Sequence, residues 1–209
     1  MAHSLPLTRE DVAQSTRAVD LRSYTGVWYA VATLRATGFQ QGCRQMTRVE
    51  YQIRSEGDGL VVRNACEAFF FGNVVQEISA VPKSANNRIL LVGAYGGRRD
   101  GNYVVYEFAD EIVPAHNHLE EPVWSTSGYR WVIVGDSDLG EAWLMVRDPR
   151  EGTAIMRETA PLLRRIGIYD QLLLEPQPDA DYMIDGSVRR TRSTRVSDYL
   201  AGQSRANSQ

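Results

Sequence analysis

Three groups of side chains in this 209-residue chain have the chemistry to hold or transform something. His116-Asn117-His118 lies among Asp110, Glu111, Glu120 and Glu121. Two imidazoles with carboxylates nearby form the donor set of zinc or copper sites. A polar loop more often simply contains such residues, and no metal is expected. Glu50, Glu67 and Glu107 sit on or near apolar runs that also carry Tyr103 and Tyr106. A carboxyl group turned inward there would have a raised pKa and could serve as a general acid. Arg98-Arg99 could pair with an anionic head group such as a carboxylate, although such a pair is more often a solvated turn. No Ser-His-Asp order is compelling and no phosphate loop exists. No catalytic residue is therefore assigned, and no cofactor is expected.

The two cysteines, Cys43 and Cys66, read as reduced thiols, and no metal ligands stand at suitable spacing around them. If Ser55-Glu56-Gly57-Asp58-Gly59 centres a hairpin, Cys66 pairs near Arg48. Cys43 then lies five residues further on, roughly 16 Å at strand rise. That argues against a bridge unless the strand bends strongly.

The elements that must position these groups are strands. Gly26-Val27-Trp28-Tyr29 opens an apolar, β-branched and aromatic run, which favours a pleated strand over a helix. Val49, Tyr51 and Ile53 alternate with polar neighbours at period two. Further runs follow at 60–66, 74–81, 88–95 and 102–108. An irregular stretch, 109–125, interrupts them. Strands at 129–134 and 141–147 close the series around a turn at 136–140. A helical pattern appears only at about 153–166, ending at Gly167, with Pro161 expected to kink or restart it. A short apolar run at 168–174 could add one more strand. Eight consecutive strands with short turns predict an all-β fold, an eight-stranded antiparallel up-and-down barrel of calycin type. One C-terminal helix would pack outside it. Residues 1–18 form an N-terminal extension, 19–176 the barrel with its helix, and 177–209 a basic tail expected to be disordered.

Composition adds limits. Hydrophobic residues make up 43% of the chain, enough for a core, and a net charge of −3 argues against a nucleic-acid surface. Residues 1–20 lack a secretory pattern, so a cytoplasmic protein is expected, or a secreted or periplasmic one if a signal has been removed.

Val19-Asp20-Leu21, Tyr24 and Gly26-Val27-Trp28-Tyr29, followed by Phe39-Gln40-Gln41-Gly42-Cys43, resemble the first block of a lipocalin. The bacterial lipocalin and apolipoprotein D branch is the most similar. Ala142-Trp143-Leu144-Met145-Val146-Arg147-Asp148-Pro149 resembles the third block. The resemblance implies that Arg147 lies across Trp28, making Gly26, Trp28 and Arg147 the structural signature. In the second block lipocalins often carry Thr-Asp; this chain has Thr126-Ser127.

Lipocalins bind small, mostly apolar molecules inside the cup, and the resemblance implies the same here: fatty acid, lysolipid or another apolar metabolite. Strand parity points to Trp131, Ile133, Trp143, Met145 and Tyr106 as ligand-contacting, with Glu107 on the opposite face. Loops 36–43, 67–73, 95–102 and 136–140 lie at the mouth, bringing Arg98 and Arg99 to a possible head group. Phe69-Phe70-Phe71 falls on the rim, where it or the basic tail could touch a membrane or a protein. The alternative function is a lipocalin-like isomerase or cyclase acting on an apolar substrate held in the barrel.

Overall fold

The computed structural model describes residues 7–34, 43–55, 57, 59–68, 72–93, 103–114, 127–177, 180–183 and 193–206. Eight strands form the barrel: β1 (Gly26–Thr33), β2 (Cys43–Ile53), β3 (Leu60–Ala68), β4 (Gly72–Pro82), β5 (Ile89–Gly93), β6 (Tyr103–Phe108), β9 (Trp131–Gly135) and β10 (Ala142–Val146). Each pairs antiparallel with its neighbour, and β10 pairs back onto β1 with Tyr29 opposite Val146. That last pairing closes the sheet and removes its edges. The β2–β3 turn folds as its chemistry dictates: Gly57 takes a φ of 74°, and Arg54 donates its amide to the Gly59 carbonyl at 2.9 Å.

Segment 109–125 is more ordered than expected at its start. β7 (Ile112–Pro114) pairs with β8 (Ser127–Tyr129) in a separate two-stranded sheet. The His116–His118 pair, Glu120 and Glu121 lie outside the described residues, as do Phe69–Phe71, Arg98 and Arg99.

Helix α3 (Gly152–Ile166) lies against the outer wall, with Ile155, Met156, Leu163 and Ile166 packed on Val31, Ile133 and Leu144. Gly167 caps it at a left-handed φ of 91°. The helix is not restarted at Pro161 but runs through it as one element. The proline is exposed, as is Arg157, so the carbonyl freed one turn earlier can be satisfied by water.

The first and last described helices are both docked. Helix α1 (Arg9–Gln14) begins at a capping box of Thr8 and Asp11 and buries Val12 against the outer cluster. The side chain of Asn86 donates to the carbonyls of Val12 and Ser15 at 2.8 and 2.9 Å. The tail is not a disordered appendage throughout. Helix α4 (Val196–Ala206) buries Val196 and Leu200 in the same cluster. Tyr182 packs against Tyr199 and donates to the Glu175 carbonyl at 2.7 Å. β11 (Leu173–Leu174) adds to β1 at Ala32 and Thr33. Composition concealed this because few apolar residues, placed at helical spacing, supply the anchor.

The cysteines form a disulfide, with Cα atoms 5.7 Å apart. Two register shifts in β2, between Cys43 and Gln45 and between Gln45 and Arg48, take up the intervening residues and set Cys43 opposite Ala68. The straight-strand spacing omitted these bulges, which bend the strand toward its partner.

Candidate functional site

The sheet separates two apolar clusters. The outer one joins β1, β6, β9 and β10 to α3, α1 and α4. The inner one fills the barrel from Trp28 upward and includes Val49, Tyr51, Val62, Leu90, Val132 and Met145.

The floor is built on a cation. Trp28 is fully buried, and Arg147 lies over its ring with the guanidinium carbon 3.7 Å from the centroid. Among the described residues, Arg147 meets no carboxylate. It donates instead to the carbonyls of Tyr129, Val27, Ser23 and Thr25 at 3.1, 2.9, 3.0 and 2.7 Å. Burial pulls the guanidinium down to about 9, so it remains a cation at neutral pH. Gly128 makes this arrangement possible: a Cβ there would collide with the Arg147 side chain and the Ser23 carbonyl. In this second block the working residue is the glycine.

Just above, three tyrosine hydroxyls meet. Tyr24 comes from the short helix α2 (Leu21–Tyr24), held at its start by Asp20 accepting from the Arg22 and Ser23 amides. Its indole neighbour Trp28 donates to the Tyr24 carbonyl at 2.9 Å. The Tyr24 hydroxyl lies 2.7 Å from that of Tyr103 on β6, and the Tyr51 hydroxyl on β2 lies 2.8 Å from the same Tyr103 oxygen. The rings of Tyr24 and Tyr51 pack edge to face at 4.9 Å. Burial pushes Tyr24 and Tyr103 well above the ordinary phenol range and Tyr51 to about 12.

Of the five residues expected to face a ligand, two stand on the inner wall. Trp143 and Met145 belong to the inner cluster. Trp131, Ile133 and Tyr106 lie in the outer one. Trp131 donates its indole N–H to Glu158 of α3 at 2.7 Å, and Tyr106 donates to the Asp136 carbonyl at 2.9 Å. The reason is register. Trp143 pairs with Val134 and Met145 with Val132, so the β9–β10 connection reverses parity and odd positions on β10 face the same way as even positions on β9. A bulge between Val105 and Glu107 leaves Val105 and Phe108 inward and turns Val104 and Tyr106 outward.

The acids considered for catalysis are on the outer side. Glu107 is bridged by Arg17 and by Arg165, the latter at 3.2 Å. It borders an outer groove of about 410 Å³ shared with Trp131 and Leu162. Glu50 pairs with Val27, whose side chain packs outward, and Glu67 follows the same outward parity as Ala65 and Arg63. Asp110 pairs with Arg17 at 2.7 Å, and Glu111 with Arg130 at 3.5 Å.

The tyrosine cluster escaped the sequence reading, although a signal existed. Tyr51 shares its strand face with Val49, and Tyr24 stands in the first signature block. Nothing in the sequence brings Tyr103 to them across separations of 52 and 79 residues.

Comparison with known proteins agrees with this geometry. Residues 19–116 match the family model described as a lipocalin-like domain. No curated protein matches by sequence comparison. Among solved structures, apocrustacyanin C1 is similar with a TM-score of 0.52 at 16% identity, over 83% of this chain and 87% of that one. Apocrustacyanin C2 gives the same score and identity, over 83% and 89% of the two chains. These likenesses show the fold. The closed eight-stranded barrel floored by Trp28 and Arg147, with α3 packed on its outer wall, shares the fold of these structures, and its first half resembles the lipocalin-like domain.

Proposed function

We propose that the protein binds a small hydrophobic molecule in the barrel interior and carries or sequesters it. One observation carries the reading. Ile78, Val92, Tyr103 and Trp143 stand on inward-facing strand positions yet are only partly buried. Side chains pointing into a closed barrel keep exposed surface only where space remains above the packed floor. Among the described residues, Ile78, Val92 and Trp143 give that space apolar wall, the environment that takes an apolar molecule out of water at about 25 cal/mol per Å². The isomerase or cyclase reading loses its main support, because Glu50, Glu67 and Glu107 are directed outward.

The aromatic-Gln-x-Gly-Cys order ending at Cys43 supports the bacterial lipocalin and apolipoprotein D branch. The Cys43–Cys66 bridge supports work in an oxidising compartment, outside the cytoplasm.

Titrating the purified protein with an amphipathic fluorescent probe, 1-anilinonaphthalene-8-sulfonate, while following Trp143-dependent emission tests the binding. A saturable signal at micromolar probe, lost in Trp143→Arg, is expected. Absence of saturable binding by this probe and by a neutral one such as N-phenyl-1-naphthylamine would end the carrier reading.

A further inference from the structure

The wall formed by β3 and β4 carries one polar rung. The two strands pair without a register shift from Leu60 opposite Ala80 to Ala68 opposite Gly72, so one parity faces inward along their whole length. Leu60, Val62, Ile78 and Ala80 belong to the inner cluster and fix that parity. Asn64 and Gln76 share it and stand directly opposite each other, where side-chain β-carbons are about 5 Å apart. They lie one inward step nearer the mouth than Val62 and Ile78, about 7 Å along the strand. The next inward position on β3, Cys66, is held in the bridge to Cys43, so a covalent tie to β2 steadies the rung.

Both carboxamides are open to solvent. Asn64 is half-buried and Gln76 exposed, although both face the interior of a closed barrel. Neither side chain hydrogen-bonds to the other or to any further described residue. Water can satisfy them so long as the space holds water. An apolar molecule filling that space removes the water and leaves two carboxamides without partners, a costly arrangement. A ligand that suits this wall must bring its own polar complement at this height. Among the described inward positions no side chain is charged, and Arg147 at the floor is committed to four carbonyls.

We infer that the barrel binds an uncharged, largely apolar molecule bearing a carboxamide-type group, a carbonyl with an N–H beside it, and that Asn64 and Gln76 hold this group. The inference rests on the carrier reading above and specifies its ligand. Each side-chain carboxamide offers N–H donors and a carbonyl acceptor. A ligand carboxamide answers both: its N–H donates to one side-chain carbonyl, and its own carbonyl accepts from the other side chain's N–H. A ketone or ester only accepts and leaves the side-chain oxygens unpaired. A carboxylate also only accepts, and it brings a charge that no described inward cation offsets.

Calorimetric titration with 2-naphthamide, 2-acetylnaphthalene and 2-naphthoate varies only a planar substituent of similar size. The amide is expected to bind more tightly than the naphthoate. Its affinity relative to the ketone should fall about threefold in Asn64→Leu or Gln76→Leu and about tenfold in the double variant. A ratio taken within one variant is insensitive to a general loss of affinity. In the wild-type protein the ¹⁵N-labelled side-chain amide resonances of Asn64 and Gln76 should shift as 2-naphthamide saturates, a readout that needs no variant to fold. An unchanged amide-to-ketone ratio in the double variant, or unmoved resonances at saturating amide, would overturn the amide rung while leaving the carrier reading intact. Tighter binding of the naphthoate than of the amide would do the same. If 2-naphthamide fails to bind while N-phenyl-1-naphthylamine saturates, this inference falls alone; if neither binds, the carrier reading falls with it.

Discussion

Replacing Arg147 by methionine removes a buried cation but keeps an unbranched stem on Trp28. Four carbonyls, those of Ser23, Thr25, Val27 and Tyr129, lose their guanidinium donors at once. A hydrogen bond to a charged group is worth about 1.5–3 kcal/mol, but burying the guanidinium offsets much of that gain. Taking about 1 kcal/mol for each orphaned carbonyl, reduced where water can enter, gives about 3 kcal/mol. The cation–π contact at 3.7 Å adds about 1 kcal/mol. The expected total is about 4 kcal/mol, a large share of the stability of an ordinary domain. At this chain length it corresponds to a fall of about 8–16 °C in Tm. Urea unfolding followed by tryptophan emission, with far-UV circular dichroism as a second probe, measures it. Gly128→Ala supplies a cross-check, because its Cβ meets the same guanidinium. Each single change should destabilise, and the double variant should lose less than the sum, since the clash with the side chain is relieved once Arg147 is gone. A loss below about 1 kcal/mol for Arg147→Met, or strict additivity, would refute the account of the floor.

Three further outcomes follow from the same structure. Cys43 and Cys66 close a segment with a sequence separation of 23, so Cys66→Ser should lower stability by about 3 kcal/mol; the oxidised chain should also be two hydrogens lighter by intact mass than after reduction, and free thiols in the air-purified protein would contradict the bridge. The tyrosine cluster makes stability fall at high pH. Tyr24, Tyr51 and Tyr103 have folded pKa values raised above the unfolded one near 10, so the folded state holds protons that the unfolded state gives up. Their contribution is complete below pH 10 and is lost as pH climbs toward about 12 and beyond, with Tyr51 alone contributing about 3 kcal/mol. Absorbance at 295 nm should show these phenols ionising together with unfolding, and a titration complete in the folded protein near pH 10 would exclude the burial. Deleting residues 193–209 removes Val196 and Leu200 from the outer cluster and should cost about 3–5 kcal/mol; an unchanged urea midpoint would show that α4 is a spectator.

Much of the fold is written in local chemistry. The strands around Val49 and Tyr51 alternate cleanly because one face meets the core and the other water. The glycine-rich turn at 55–59 sets the register of β2 against β3, and Gly167 stops the helix. The signature residues Gly26, Trp28 and Arg147 are close enough to a known pattern that their contact could be anticipated across more than a hundred residues. The disulfide was not legible by spacing, because two bulges changed the path of β2. The docking of α4 was hidden by a composition rich in arginine and serine.

By itself, the sequence determined a closed antiparallel barrel, the outer helix that directly follows its last strand, and, through its resemblance to a known family, a tryptophan floor crossed by an arginine. The barrel and the helix depend on periodicity and turn residues, which act over a few neighbours, whereas the floor was implied by the likeness of two distant short motifs to a known pattern. Tertiary structure alone decided which side chains see the interior. β9 is buried along its whole length, Trp131 to Gly135, because one face meets the barrel core and the other meets α3. With both faces apolar, alternation carries no direction, and one residue of difference in a turn exchanges Val132 and Val134 for Trp131 and Ile133. The meeting of Tyr24, Tyr51 and Tyr103 was decided the same way. Each hydroxyl is placed by a different element, and only barrel closure brings the three within hydrogen-bonding distance.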